Sequence, residues 1–249
     1  MTPNQIHKVL SSMRTNGVRY LLMGGQACVF YGAAEFSRDT DLAVLADADN
    51  LQRLQTALAD LQAECIAVPP FEQRYLEAGL AIHFRCQHPD ALGIRVDVMS
   101  RMRGVAEFSE LWDRRTTMES GDESIELLAL PDLVLAKKTQ REKDWPMIAR
   151  LAEAHYFQHH EQPSAPQVDF WLRELRTPQL LLDAAQRFPD RCQQIAPSRP
   201  LLEFALSGDL AAIAVALREE EDRERAADRE YWRPLKATLE QLRREHRPS

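Results

Sequence analysis

The chain has 249 residues, of which 45% are hydrophobic and 28% charged, and its formal net charge is −7. This balance is typical of a globular protein and excludes the disordered and fibrous classes, while the negative charge argues against a general nucleic-acid coat protein. No apolar stretch approaches the roughly 20 residues of a bilayer span, so we expect no membrane helix and no membrane partner.

The first 130 residues alternate between helix and strand patterns. Helical spacing of apolar residues predicts a helix over residues 4–16, and an apolar strand over 19–23 ends at Gly24 and Gly25. The further predicted elements are a short buried helix (26–34), a strand (39–45), a helix (51–61) and a hairpin of two strands (80–86 and 94–99). This order predicts an α/β (α+β) fold, with a small mixed sheet flanked by helices.

Beyond Pro131 the pattern is helical almost to the end, with frequent prolines. The polar, proline-bounded residues 155–166 predict a linker or long loop. Pro234 is expected to kink or restart the last helix. We therefore predict two domains, residues 1–130 carrying the sheet and residues 131–249 forming a helical domain.

Gly24 and Gly25 form a strand-to-helix turn that has no side chains. Such a turn lets the backbone approach a phosphate closely, and the following helix offers free N–H groups. A glycine pair can also serve simply as a turn.

Asp39 and Asp41 stand at positions i and i+2 of a predicted strand, so both carboxylates project from one face. Like charges this close repel unless a cation lies between them, and oxygen ligands suit magnesium or manganese. A solvated turn with a capping aspartate is the alternative.

Asp97 lies in the middle of an alternating strand, on the same face as Arg95. An acid there is costly to bury unpaired, so it must meet a cation or lie on an exposed face. In a hairpin that is symmetric about Asp90, His83 would lie opposite Asp97, where it could orient the carboxylate.

The glycine turn, the paired aspartates and the third aspartate occur in this order between Val18 and Met99. Together they resemble the nucleotidyltransferase superfamily typified by DNA polymerase beta. The resemblance implies that Gly24 and Gly25 hold the triphosphate of a nucleoside triphosphate substrate.

The same resemblance implies two divalent ions, Mg²⁺ or Mn²⁺. Asp39 and Asp41 would bind both ions, and Asp97 would share the catalytic one and help to deprotonate the acceptor. Arg38, beside the first of these ligands, would pair with it or with phosphate. The chain departs from the family pattern at Gly25, where many members have serine, and at Thr40, where an aliphatic residue is usual.

A second resemblance involves Pro131–Lys137 and the following Arg141–Asp144. These residues resemble a helix of bacterial stand-alone nucleotidyltransferases, which include the abortive-infection toxins of toxin–antitoxin pairs. The resemblance implies that Lys137 and Asp144 reach the nucleotide site. Because Lys137 and Arg141 are four residues apart, they are expected to share a helix face and meet phosphate oxygens. A solvated basic helix is the alternative.

The predicted activity is metal-dependent transfer of a nucleoside monophosphate group from a nucleoside triphosphate to an acceptor. The acceptor is tRNA, a protein or a small molecule, and a cognate antitoxin is a possible partner. A non-catalytic nucleotide-binding or interaction module on the same fold is the alternative.

Cysteine usage and the N-terminus bear on location. The N-terminus lacks the apolar core of a signal peptide, and no two cysteines form a CxxC pair, so we expect a cytoplasmic location. The cysteines are Cys28, Cys65, Cys86 and Cys192.

Overall fold

The computed structural model describes residues 3–35, 37–120 and 123–245. The described chain divides into two units. The sheet unit comprises the described parts of Met1–Phe30 and Tyr231–Ser249 together with Ala34–Ala136, and the helical unit comprises Tyr31–Ala33 and Lys137–Glu230. The predicted domains, residues 1–130 and 131–249, stay a prediction.

A mixed sheet of seven strands lies in the described part of the sheet unit, in the order β3-β4-β5-β2-β1-β7-β6. The strands are β1 (Tyr20–Met23), β2 (Asp39–Val44), β3 (Glu64–Cys65), β4 (Ile82–Arg85), β5 (Arg95–Met99), β6 (Thr116–Ser120) and β7 (Glu123–Leu127). The helices that begin in this unit's sequence are α1 (Pro3–Thr15), α2 (Gly24–Phe30), α3 (Ala48–Asp60), α4 (Gln73–Glu77), α5 (Phe108–Asp113) and α6 (Leu130–Lys137).

The α/β prediction is confirmed: a mixed sheet with helices is followed by a long helical region. The remaining helices are α7 (Asp144–His159), α8 (Ala165–Glu174), α9 (Pro178–Arg187), α10 (Pro189–Ile195), α11 (Leu202–Ser207) and α12 (Leu210–Glu245). None of the described helices combines the length and the apolar character needed to cross a membrane.

The central strands of the sheet are β1, β2 and β5. β2 runs antiparallel to β1 and parallel to β5, and β4 pairs antiparallel with β5. The apolar positions of these strands are fully buried, as at Leu42, Val96 and Val98. Alternation therefore places the intervening positions of β2 and β5 on the opposite face of the sheet.

Asn50 fixes the start of β1 against the end of β2. Its side-chain oxygen accepts from the backbone N–H of Arg19 at 2.7 Å, and its amide donates to the carbonyls of Arg19 at 3.0 Å and Leu45 at 2.8 Å. Asp47 in turn caps α3 by accepting from the Asn50 N–H at 2.7 Å. These bonds satisfy a buried amide and hold the two strands in register.

Three predicted boundaries are wrong. The helix expected at 26–34 begins at Gly24 and ends at Phe30. The linker expected at 155–166 is mostly helix, because α7 continues to His159 and α8 begins at Ala165. The final helix does not restart at Pro234, since α12 is continuous through that residue.

The expected linker is helical because aromatic residues within this polar stretch supply core contacts. Tyr156 is 3% exposed and packs edge-on against Trp171, with ring centroids 4.9 Å apart. The indole N–H of Trp171 also donates to Nδ1 of His155 at 2.9 Å. A capping box of Ser164 and Gln167 then starts α8.

Candidate functional site

The sheet register brings the three predicted aspartates together at the backbone level. Asp41 on β2 is the direct partner of Asp97 on β5, and Asp39 is the partner of Arg95. Neighbouring strands lie about 4.8 Å apart, and paired residues project from the same face. The three aspartates therefore share one face of the sheet.

The glycine turn lies directly under this cluster. β1 ends at Met23, the register partner of Asp41, and Gly24 follows in a left-handed conformation with φ +65°. A Cβ atom at Gly24 would overlap the carboxylate of Asp41, and one at Gly25 would overlap the hydroxyl of Ser37. Both glycines are thus required by side chains that lie over the turn. Their predicted contact with a triphosphate stays a prediction.

Gln26 holds the segment that leads into β2. Its buried side chain donates to the carbonyl of Ser37 at 2.9 Å, and the Ser37 hydroxyl donates to the carbonyl of Asp39 at 3.3 Å. These contacts position Asp39 relative to the glycine turn. Sequence reasoning missed both side chains, because neither belongs to a chemical motif.

Thr40 lies between the two aspartates on the opposite face of β2. It is fully buried, and its hydroxyl has no hydrogen-bond partner among the described residues. A buried hydroxyl without a partner costs free energy of folding. The departure from an aliphatic residue at this position is therefore unfavourable for stability.

Asp97 has two polar partners. Its Oδ1 accepts from Nε of Arg95 at 2.7 Å and lies 2.8 Å from Nδ1 of His83. The predicted hairpin register is confirmed, since His83 is the direct partner of Asp97. Burial alone would raise the pKa of Asp97, but the hydrogen bonds and positive charge of His83 and Arg95 lower the pKa below its usual value.

His83 Nδ1 also lies 3.0 Å from a terminal nitrogen of Arg95. Because Arg95 only donates, Nδ1 cannot both accept from Arg95 and donate to Asp97. The carboxylate contact is the shorter one and is charge-assisted, so we assign the Nδ1 proton to the bond with Asp97. The three side chains form one connected cluster on the exposed side of the sheet.

The side chains as they stand do not form a three-donor metal site. No group of three or more histidine, cysteine or acidic residues within the described ranges is arranged to hold a metal ion. Residue types and register nevertheless suit a hard divalent cation, because three carboxylates project from adjacent positions of two strands. The Oδ1 atom of Asp97 would have to exchange Arg95 or His83 for such an ion.

The second predicted cluster lies in the helical unit. The expectation that Lys137 and Arg141 share a helix face is wrong, because α6 ends at Lys137 and Arg141 lies in the following loop. Both cations instead converge on Asp144, at 3.8 Å from Lys137 and 2.8 Å from Arg141. The Thr139 hydroxyl also donates to Asp144 at 2.6 Å. Their role in binding nucleotide stays a prediction.

Arg38 is exposed and forms no hydrogen bond or ion pair with another residue in the described part of the chain. It therefore does not pair with the adjacent Asp39, which leaves the alternative, a contact with phosphate, as a prediction.

Comparison with known proteins yields distant structural similarity to solved structures. Neither protein-family models nor curated proteins give a significant match. The chain is similar to an antigenic nucleotidyltransferase-like protein from Paracoccidioides brasiliensis, with 14% sequence identity and a TM-score of 0.33. The alignment covers 82% of this chain and 90% of that chain. A similarity this weak supports no inference about activity.

Proposed function

We propose that the chain is a metal-dependent nucleotidyltransferase, which transfers a nucleoside monophosphate group from a nucleoside triphosphate to an acceptor and releases pyrophosphate. One observation carries the proposal: Asp41 and Asp97 are direct partners on parallel strands, with Asp39 two residues away on the same face. A strand face with three carboxylates has no role in packing a core, and it suits a cation bound to phosphate.

In this mechanism Asp39 and Asp41 would hold the divalent ions, and Asp97 would share one of them. When bound, Mg²⁺ or Mn²⁺ would lower the pKa of an acceptor hydroxyl and neutralise charge on the triphosphate. His83 and Arg95 contact Oδ1 of Asp97, so an ion that took this oxygen would have to replace one of them. His83 keeps that carboxylate oriented.

The remaining phosphate charge is met by other groups. The Asp41 carboxylate and the Ser37 hydroxyl lie over Gly24 and Gly25, so a phosphate would contact the turn alongside these two side chains. Arg38, which is exposed, binds a phosphate oxygen. The contact of Lys137 and Arg141 with nucleotide stays a prediction.

The second candidate is a nucleotide-binding or interaction module without catalysis. The engagement of Asp97 by Arg95 and His83 favours it, since a permanent ion pair at this carboxylate would exclude the metal. The presence of all three carboxylates on one face favours the enzyme. A cognate antitoxin would fit either candidate.

The test is transfer of label from α-³²P-labelled nucleoside triphosphates in Mg²⁺ or Mn²⁺. The acceptor is supplied as total tRNA, as a protein extract or as a small-molecule extract, in separate reactions. The unaltered protein should label one of them, and Asp41→Ala should abolish labelling while the circular dichroism spectrum is unchanged. Asp49→Ala removes an exposed acid of α3 and should retain full activity.

Two results would refute the assignment. Labelling that survives Asp41→Ala would place the chemistry elsewhere. Binding of nucleoside triphosphate without transfer to any acceptor would identify the non-catalytic module.

A further inference from the structure

A cavity of about 360 Å³ lies at the carboxyl ends of the parallel strands β2 and β5, at the end of β2 opposite to Asp39. β2 continues into α3 and β5 into the segment before α5, so the two strands separate beyond the pair of Ala43 and Met99. Ligands of α/β sheets commonly bind outside the carboxyl ends of parallel strands. The volume is within the range of small-molecule sites, about 300 to 1,000 Å³.

Buried apolar side chains form part of the cavity wall. Val44 is fully buried and Phe108 is 5% exposed, and both line the cavity together with Leu45 and Ala46. An apolar ligand body gains free energy when such a surface removes it from water.

Ser100 is a buried polar residue of the same wall. It is 8% exposed, and its hydroxyl donates to the carbonyl of Leu76 at 2.7 Å. This bond uses the only proton of the hydroxyl, so Oγ can only accept a further hydrogen bond. No residue in the described part of the chain donates one to it. A ligand that reaches Ser100 should therefore carry a hydrogen-bond donor.

The charged residues that line the cavity are mostly acidic. Asp47, Glu77 and Glu107 stand against one guanidinium, that of Arg101. Arg101 and Glu107 are 3.9 Å apart and their side chains are 55% and 67% exposed, so water screens this pair. Neither Asp47 nor Glu77 lies within ion-pair distance of a cation among residues 3–35, 37–120 and 123–245. The cavity therefore favours a positive ligand over a negative one.

We propose that this cavity binds a small organic amine, with its apolar body against Val44 and Phe108 and its ammonium group donating to Ser100 and to the carboxylates. An ammonium group has three donors and no acceptor, so it suits an acceptor hydroxyl and carboxylates at the same time. None of the residues of the candidate nucleotidyltransferase site takes part, and the proposal does not depend on nucleotide transfer.

The experiment titrates phenethylammonium chloride into the full chain and follows binding by isothermal titration calorimetry and by backbone amide shifts in nuclear magnetic resonance. It should bind with a Kd of about 1 mM, as expected for a ligand of this size. The matched neutral probe is 2-phenylethanol, which keeps the ring and a donor but has no charge. It should bind at least about fivefold more weakly.

Variants of the lining residues test where the amine binds. Glu77→Gln combined with Glu107→Gln removes two charges with little change of shape, so amine affinity should fall about fivefold while that for 2-phenylethanol is unchanged. Ala46→Leu reduces the volume of the cavity and should abolish binding of both probes. Glu110→Gln is the matched control, because Glu110 is an exposed acid of α5 that does not line the cavity, and it should change affinity by less than about twofold.

Three results would overturn the proposal: equal affinity for the two probes, unchanged amine binding in the double glutamate variant, or no sign of amine binding by about 20 mM. Each variant is compared with the unaltered protein by its amide spectrum, which shows whether the fold is retained. None of these measurements involves nucleotide transfer, so the outcome is the same whether or not the proposed activity exists.

Discussion

Charged side chains are used in opposite ways by the sheet unit and the helical unit. On the sheet, three carboxylates share one face of two adjacent strands, and Asp97 is within ion-pair distance of both the half-exposed Arg95 and His83. In the helical unit, Glu220 is bound by both Arg199 and Arg176, at 2.9 and 3.1 Å. Arg199 also donates to the carbonyls of Leu172 and Leu175.

The Arg199–Glu220 network of the helical unit is buried and hydrogen-bonded. The Arg199 side chain is 5% exposed and each of its nitrogens has a partner, so the helical network is closed. Burial raises the pKa of Glu220, but the charge and hydrogen bonds of Arg199 and the charge of Arg176 lower it below its usual value. The ion pair of Arg95 and Asp97 on the sheet differs, because the Arg95 side chain is 38% exposed and stays in contact with water.

The sharpest test of this contrast is Asp39→Asn. If the sheet cluster serves a ligand, the variant loses several kcal/mol of transition-state stabilisation, a fall in nucleotide transfer of about 1,000-fold. Its melting temperature should stay equal or rise, because one like charge has been removed. Single-turnover labelling and calorimetry measure the two effects. A variant that loses stability and activity together would show that the cluster holds the fold.

For Arg199→Met in the helical unit we expect a loss of stability, in contrast to the loss of activity expected for Asp39→Asn. The variant leaves Glu220 with one of its two arginines and frees two buried carbonyls, so the free energy of unfolding should fall by about 3 kcal/mol. Urea denaturation measures this change. Arg173→Met, at an exposed position of the same unit, is the control and should alter stability by less than about 0.5 kcal/mol.

His155 gives the helical unit a stability that depends on pH between about 6.5 and about 4. Burial, and then the charge of His159, lower the pKa of His155 to about 4. The unfolded chain therefore binds this proton first as the pH falls below about 6.5, and stability is lost between that pH and about 4. The loss from this group should reach about 2 kcal/mol by about pH 4.5.

His155→Gln keeps an acceptor for the indole of Trp171 and removes the titration. Its free energy of unfolding should fall less between about pH 7 and about pH 4.5 than that of the unaltered protein, by the same 2 kcal/mol or so. His88→Gln, a half-exposed histidine of the sheet unit, should follow the unaltered protein. Equal pH dependence in all three proteins would contradict the assignment.

The smallest expected effect is a gain in the free energy of unfolding. Thr40→Val replaces the unpartnered hydroxyl with a methyl group of similar size, so the sheet unit should become more stable by about 1 kcal/mol. Thr56→Val on the exposed face of α3 makes the same exchange in water and should change stability by less than about 0.5 kcal/mol. A less stable Thr40→Val protein would show that the hydroxyl has a partner after all.

Periodicity alone was enough to predict most of the sheet. The pairing of His83 with Asp97 followed from a hairpin that is symmetric about Asp90, and the face of Asp97 followed from alternation in its strand. These features depend on the backbone repeat, which the sequence displays directly.

The helix boundaries and side-chain contacts that the sequence could not predict depend on tertiary contacts. α6 ends at Lys137 without a glycine or proline, and the loop after it is held by Thr139, which donates to Asp144 and accepts from the indole of Trp145. The helix through His155 forms because Trp171, from another helix, packs against it. The hydrogen bond from Arg95 to Asp97 likewise depends on side-chain conformation, which no spacing rule reveals.

A Cβ atom at position 25 would overlap the hydroxyl of Ser37, and this restricts which residues homologous chains can have at the two positions. The two positions compete for one small volume, so a hydroxyl can enter it from the turn or from the segment before β2, but not from both. Homologues that carry serine at position 25 should therefore carry glycine at position 37, and this covariation would be visible in an alignment before any further structure is known.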